Sequence, residues 1–343
     1  MASPIGLRGL AAALGLSTYT VSRALSGHAD VAEATRRRVR EKAEELGYTP
    51  HLGGRMLRSG RSDTVAFVLT RSGGGFLDPY FLPVLNGLET TLAAAGLDLL
   101  VTGAPAGEGE LEVFRRLVDG RRADALVFSR VRPADERVGY LARRGIPFTT
   151  LGRAGPEPAH PFVDVDHRRG GEAATGWLLD QGHRRVGVIN TPGAVHASLQ
   201  RRAGWEDAHR ARDRVPDAAL LAEGDYTAAS GQAAMRRLLS GEAPPTAVIC
   251  GNDEMAYGAM EALRAAGRAI GRDVSVIGCD DLPMAALTVP ALTTFRTSVR
   301  RFGEMLGQQV IDLLAGREPV SELLLPELVM RGSAGPPAGT AAR

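Results

Sequence analysis

The sequence predicts an all-α helix-turn-helix headpiece followed by an α/β core of two lobes built on parallel sheets. Three observations carry that prediction. Residues 16–27 form a short amphipathic segment directly after a glycine turn. From residue 64 onward, strand-like and helix-like runs alternate. Charge is split, with a basic head on a slightly acidic body.

In the headpiece, Ser17 is a good N-cap, and the run that follows it places Val21, Ala24 and Leu25 on one helical face. Thr18, Tyr19, Ser22 and Arg23 fall on the other faces. Upstream, Leu7, Leu10 and Ala11 sit at helical spacing, and Leu14-Gly15-Leu16 supplies a short turn. Two short helices so joined make a helix-turn-helix, whose second helix can enter the major groove of DNA. The bland alternative is a packing hairpin with no DNA role. A third helix is expected over residues 31–48, with Val31, Val39, Ala43 and Leu46 apolar and a basic run of Arg36, Arg37, Arg38, Arg40 and Lys42. Gly47 ends it and Pro50 blocks continuation. Residues 1–62 carry a net charge of +5 and the remainder −3, against +2 for the whole chain. That distribution suits a polyanion-binding module joined to a neutral-ligand module.

The core follows from length and alternation. A chain of 343 residues with 44% apolar content can bury two or three domains. Strands are expected at 64–70, 97–102, 123–129 and 147–151, with helices at 81–95, 110–119 and 134–144 between them. A second series opens with strand 162–165 and continues with strands at 185–190, 219–223, 246–250 and 275–279. Its helices are expected at 169–181, 201–211, 227–240 and 254–266. Short β-rich runs between helices give parallel sheets with right-handed crossovers, and two series give two lobes with a ligand cleft at the carboxyl ends of their strands. Cys250 and Cys279 lie in apolar runs and are expected to be buried and reduced. Neither a leader peptide nor an 18-residue apolar run is evident, so a cytoplasmic protein without a membrane partner is expected. His167, His183 and His196 lack metal-ligand spacing, and no glycine-rich phosphate loop follows a predicted strand. An enzyme, a metal and a cofactor are therefore not expected.

Three stretches carry a family resemblance: Ser17-Thr-Tyr-Thr-Val-Ser-Arg-Ala-Leu25, Glu44-Glu-Leu-Gly-Tyr48 with Pro50, and Arg55-Met-Leu57. In these, and along essentially its whole length, the chain resembles the LacI family of bacterial transcription regulators. The resemblance implies a helix-turn-helix DNA-binding domain over residues 1–50, a hinge segment over 51–62, and a periplasmic-binding-protein-like effector-binding and dimerisation domain over 63–332. Its N-lobe would span about 63–160 and 291–322, and its C-lobe about 161–290 and 323–332, with lobe crossings near 160, 290 and 325. Residues 333–343, rich in Gly, Ala and Pro, are expected to be a disordered tail. A homodimer on a palindromic double-stranded operator is implied, and no heptad segment follows Arg331 to make a tetramer.

By the same resemblance, Thr18 and Tyr19 face base edges, while Ser17, Thr20, Ser22 and Arg23 mostly hold the backbone, although Arg23 can reach a guanine. Arg55 and Leu57 belong to the hinge, with Leu57 a minor-groove wedge. The hinge departs from the family at His51 and at Gly53-Gly54, where each glycine costs about 1 kcal/mol of helix stability relative to alanine. Gly9 is a further departure, in the first helix. In the cleft, the resemblance implies Phe76, Asp78 and Phe81 after the first strand, the ligand-clamping Arg201, Asn252 and Asp253, and Asp280. Tyr226 is a candidate aromatic cover for a sugar face, and Arg153 and Asp166 are either cleft residues or surface ion partners. Asp253 can instead be a helix N-cap, Asp281 reads as structural, and Trp205 and Trp177 read as core.

Together these point to a repressor of carbohydrate uptake or catabolism genes released by a sugar or glycoside. A corepressor-type regulator binding a purine-like or other small metabolite is the alternative. A transport-type sugar-binding protein would share the lobes but is opposed by residues 1–60.

Overall fold

The structure is a computed structural model of the chain and describes residues 5–25, 28–48, 60–71, 78–105, 107 and 109–338. It divides into two compact units, Met1–Ser62 and Asp63–Arg343.

The first unit holds α1 (Leu7–Leu14), α2 (Thr18–Leu25) and α3 (Glu33–Glu45). Leu10, Leu14, Val21, Ala24, Val39 and Ala43 close its small core. Gly15 turns the chain with φ +66°, a left-handed conformation that favours glycine. The N–H groups of Gly15 and Leu16 return to the carbonyls of Ala12 and Ala11 at 3.2 and 3.1 Å. Ser17 then caps α2, its Oγ accepting from the Thr20 N–H at 3.0 Å.

The second unit contains two six-stranded sheets. The first sheet is built from β1 (Thr64–Arg71), β2 (Asp98–Pro105), β3 (Ala125–Ser129), β4 (Phe148–Leu151), β5 (Phe162–Val165) and β11 (Glu322–Leu324), in the order β11-β5-β4-β3-β1-β2. All its neighbours pair in parallel. The helices α4 (Phe81–Ala94) and α11 (Val299–Leu314) cover one face, and α5 (Glu110–Asp119) and α6 (Glu136–Arg144) the other. β1 shows why a parallel strand reads as a continuous apolar run. Its Val65 and Phe67 pack with Leu88 and Phe302, while Ala66 and Val68 pack with Phe114 and Leu141.

The second sheet contains β6 (Val186–Asn190), β7 (Leu221–Glu223), β8 (Ala247–Cys250), β9 (Ser275–Asp280), β10 (Thr293–Arg296) and β12 (Glu327–Val329), in the order β12-β10-β9-β8-β6-β7. It is parallel except for the β10–β12 pair. Its faces are covered by α7 (His167–Asp180) with α8 (His196–Arg210), and by α9 (Ala228–Leu239) with α10 (Asp253–Ala265). Trp205 is 1% exposed in the first of these layers, as the sequence predicts. α7 and α8 touch through backbone: a Cβ at Gly204 would meet the Arg168 carbonyl at 2.0 Å, and one at Gly171 the Arg201 carbonyl at 2.5 Å. That close approach fixes the turn of α8 bearing Arg201.

Three expectations need correction. Residues 162–165 open the second series in the sequence reading, yet β5 pairs with β4 through Leu151↔Val163 and belongs to the first sheet. Residues 293–296 fall within the N-lobe span that the resemblance implies, yet β10 pairs with β9 through Thr293↔Ile277 in the second sheet. The segment 323–329 is split, because β11 joins β5 while β12 joins β10. Strands of three or four residues carry no local mark of which sheet they join; distant pairing partners decide that. α11 has no counterpart among the helices expected from the sequence.

Nor is the segment after Arg331 disordered as far as residue 338. Ser333 is fully buried, with its Oγ donating to the Val276 carbonyl at 2.6 Å and accepting from the Thr293 N–H at 2.8 Å. The Gly335 carbonyl accepts from His183 Nε2 at 2.8 Å and from Ser275 Oγ at 3.0 Å. Hydroxyl and backbone bonds, rather than apolar burial, hold this strap, so composition does not reveal it. Residues 339–343 lie outside the described residues. No helix among the described residues is long and apolar enough to cross a membrane.

Candidate ligand-binding cleft

The carboxyl ends of the two sheets face a common cleft of about 760 Å³, its open mouth included. The first lobe contributes Asp78, Phe81, Ser129, Arg130, Arg153 and Asp164. The second contributes Thr191, His196, Arg201, Tyr226, Asn252 and Asp280. The lobes also touch across it. The His196 N–H donates to the Val131 carbonyl at 2.8 Å, and the Arg130 guanidinium lies 4.1 Å from the centre of the Tyr226 ring.

Each cleft side chain is set by the strand end or helix start that carries it. Arg201 is 6% exposed and projects from the first half of α8. It donates to Asn190 Oδ1 at 2.7 Å and lies 3.4 Å from His167 Nδ1. Arg130 follows β3 with φ +56° and donates to Asp78 at 3.2 Å. Its backbone is pinned from behind by the fully buried Arg137, which donates to the carbonyls of Ser129 and Arg130 at 3.3 and 3.1 Å. Glu110 and Asp135, both buried, neutralise Arg137 at 2.6 Å each. Asn252 caps α10, accepting from the Met255 N–H at 3.0 Å, and its Nδ2 donates to the Tyr226 carbonyl at 3.0 Å. Tyr226 and Asp280 hold φ +75° and +119°, backbone strain of the kind that concentrates at ligand sites.

Three carboxyl groups (Asp78, Asp164, Asp280) and three guanidiniums (Arg130, Arg153, Arg201) line the cleft. Burial pushes all three carboxyl groups above the usual aspartate range, Asp280 furthest, with the charges of Asp253 and Asp78 adding to it. Burial also holds His167 well below the usual histidine range, helped by Arg201, Arg153 and His196. Asp164 is raised to about 7 by burial, which Arg153 only partly offsets. Its folded-state value thus exceeds its unfolded one, so its contribution to stability is complete below the unfolded value and is lost as pH rises towards 7. Asp164→Asn should remove that loss. Thermal melts of both proteins from pH 4 to 8 are expected to show the variant gaining roughly 5 °C on the wild type across the range. A constant difference in Tm would contradict the assignment.

The structure brings together Asp78, Phe81, Arg153, Arg201, Tyr226, Asn252 and Asp280 of the residues singled out in the sequence. Two others lie elsewhere. Asp253 is fully buried behind the cleft, accepting from Thr294 Oγ1 at 2.6 Å and from the Leu282 N–H at 2.8 Å, and the cap position belongs to its neighbour Asn252. Asp166 caps α7 through the Arg169 N–H at 3.0 Å, because β5 ends at Val165 and the chain turns away. Asp164, two residues earlier, is the carboxylate that reaches the cleft. Phe76, Arg55 and Leu57 lie outside the described residues, as does most of the expected hinge. Sequence reasoning missed Ser129, Arg130, Asp164 and His167. The rule that polar residues at strand ends face the cleft would have found the Ser129-Arg130 pair. Ser129 Oγ is buried without a hydrogen-bond partner among the described residues.

On the headpiece, Thr18 and Tyr19 point outward, Tyr19 with 68% of its surface exposed. Ser17 and Thr20 are engaged with each other at 2.8 Å, and Ser22 is half-buried. Arg23 pairs with Asp30 at 2.7 Å and donates to the Tyr19 hydroxyl at 3.2 Å.

Comparison with known proteins places both units. The family model for bacterial regulatory proteins of the lacI family matches residues 7–51, and that for a periplasmic binding protein-like domain matches 175–334. The HTH-type transcriptional regulator AglR of Rhizobium meliloti is 37% identical over 341 residues, covering 97% of this chain and 95% of that protein. The chain belongs to the LacI family. The CelR regulator of Thermobifida fusca is 32% identical over 94% of this chain and 96% of its own. A solved CelR–cellobiose complex superposes with a TM-score of 0.74 at 31% identity, covering 96% of this chain and 99% of that one. The lac repressor dimer bound to operator and the anti-inducer ONPF shares the fold, with a TM-score of 0.83 at 24% identity over 96% and 99% of the two chains. This LacI-family protein is therefore a DNA-binding transcriptional regulator and not an enzyme.

Proposed function

We propose that this regulator is a repressor of carbohydrate uptake or catabolism genes, released from a palindromic operator by a neutral sugar or glycoside. The cleft lining of carboxyl groups, guanidiniums and an aromatic ring carries the reading. Carboxylates accept hydrogen bonds from sugar hydroxyls, guanidinium forks donate to them in pairs, and an aromatic ring covers an apolar sugar face. That a regulator 31% identical was solved with cellobiose supports the class of ligand.

In this reading a homodimer sets two copies of α2 on the half-sites of the operator, so that protein and DNA symmetry match. Residues 51–62 join each headpiece to its lobes, and a sugar that binds one lobe arrangement better shifts the equilibrium away from the DNA-bound one. Thr18 and Tyr19 read base edges, while Ser17, Thr20, Ser22 and Arg23 hold the backbone. The test is to select operator sequences from random DNA with the full chain, then titrate sugars against the complex. Release by a neutral sugar supports the proposal, and release or tightening by a purine base replaces it with a corepressor. On the selected operator, Tyr19→Ala should weaken binding about tenfold, the cost of one lost base contact, and leave non-specific DNA affinity within twofold. Equal weakening on both DNAs would remove Tyr19 from sequence readout.

A further inference from the structure

Beside the cleft lies a second concavity, a groove of about 920 Å³ including its mouth. It runs between the loop that follows β4 in the first lobe and the start of α8 in the second. Arg153 and His196 line both spaces, so cleft and groove meet at that pair. The Arg153 side chain is held loosely there, its Nε 3.5 Å from Asp164 and 3.5 Å from His196 Nε2, at the limit of hydrogen bonding. Because Arg153 only donates, Nε2 of a neutral His196 carries the lone pair and Nδ1 the proton. That Nδ1 has no partner among the described residues.

The groove differs in chemistry from the cleft. No carboxylate lines it among the described residues. Its aromatic side is His160, stacked at 5.8 Å on Phe148 and 6.2 Å from Phe162. Gln200 from α8 and Ser321 supply an amide and a hydroxyl from opposite lobes. Such a surface suits a ring with an apolar face and hydroxyl edges, bound by packing and neutral hydrogen bonds.

We infer that the effector consists of two linked sugar rings, the first held in the cleft and the second in the groove, with their linkage passing the Arg153–His196 pair. This rests on the sugar reading of the cleft and narrows it from sugars in general to disaccharides. Arg153 then donates to both rings, and Gln200 couples the second ring to the lobe that carries Arg201.

Ala159 is an exposed loop residue on the groove wall, away from every cleft contact described above. Ala159→Trp fills the groove, and Gln200→Ala removes its amide. The wild-type chain and both variants are titrated by calorimetry with glucose, galactose, and disaccharides built from them. For at least one disaccharide, the wild type is expected to bind about tenfold or more tightly than for either component monosaccharide. Ala159→Trp should erase that gain and keep the monosaccharide affinity; Gln200→Ala should reduce it, and answers the question alone if the tryptophan variant does not fold. A gain that survives the substitutions, or monosaccharides that bind as tightly as every disaccharide, would overturn the groove assignment while leaving the sugar reading in place. Binding of no sugar of either length would overturn the sugar reading and this inference with it.

Discussion

Arg201→Ala is expected to abolish effector response while leaving operator binding intact. Arg201 is nearly buried at the junction of Asn190 and His167, and its guanidinium opens into the cleft. Truncation removes charge-assisted bonds to the ligand and leaves Asn190 Oδ1 with the Thr191 N–H as its remaining donor, a loss of about 2–4 kcal/mol, or roughly 30- to 1,000-fold in affinity. Calorimetry with the sugar that binds wild type measures the loss, and anisotropy on labelled operator measures what remains. Arg201→Lys should recover only part, since an ammonium cannot reproduce the planar fork. A variant still released by the sugar at wild-type concentrations would remove Arg201 from the site.

The complementary substitution, Leu10→Asp, is expected to abolish operator binding and leave the cleft untouched. Leu10 is fully buried in a headpiece whose core is a handful of side chains. A carboxylate there has no partner to offset its desolvation, and a unit this small has little stability to lose. Specific and non-specific DNA affinity should both fall at least about 1,000-fold as the helices unfold. Sugar affinity should stay within twofold, because Asp63–Arg343 forms a compact unit of its own. If sugar binding fell in step with DNA binding, the two units would not be energetically separable.

How much of this was legible in the sequence depended on whether the signal was local. The headpiece was readable because capping, a glycine turn and 3.6-residue apolar spacing are all local, and Ser17 and Gly15 do what their positions suggest. The core strands were readable as elements because parallel strands buried on both faces stand out as short apolar runs. Which sheet received β5, β10 and β11 was not readable, since that depends on pairing partners more than a hundred residues away for β11 with β5. In the cleft, residues at strand ends and helix starts such as Asp78, Arg201, Asn252 and Asp280 were found. Asp253 and Asp166 were misplaced for a common reason: an acid beside a strand end can cap a helix or brace the floor as readily as it faces a ligand. Arg130 follows a strand end and was legible by that rule; its brace on Arg137 and its stacking on Tyr226 of the opposite lobe were not, because no motif near Arg130 displays them.

The central claim is that the cleft of this regulator takes a neutral sugar. The direct measurement is a thermal-shift titration of the full chain with neutral mono- and disaccharides, their phosphates and purine bases. A ligand that binds only the folded cleft raises Tm in proportion to the logarithm of its excess over Kd. The account predicts a concentration-dependent rise with at least one neutral sugar and none with sugar phosphates or purines. A rise with a purine or a phosphate, and none with neutral sugars, would contradict it.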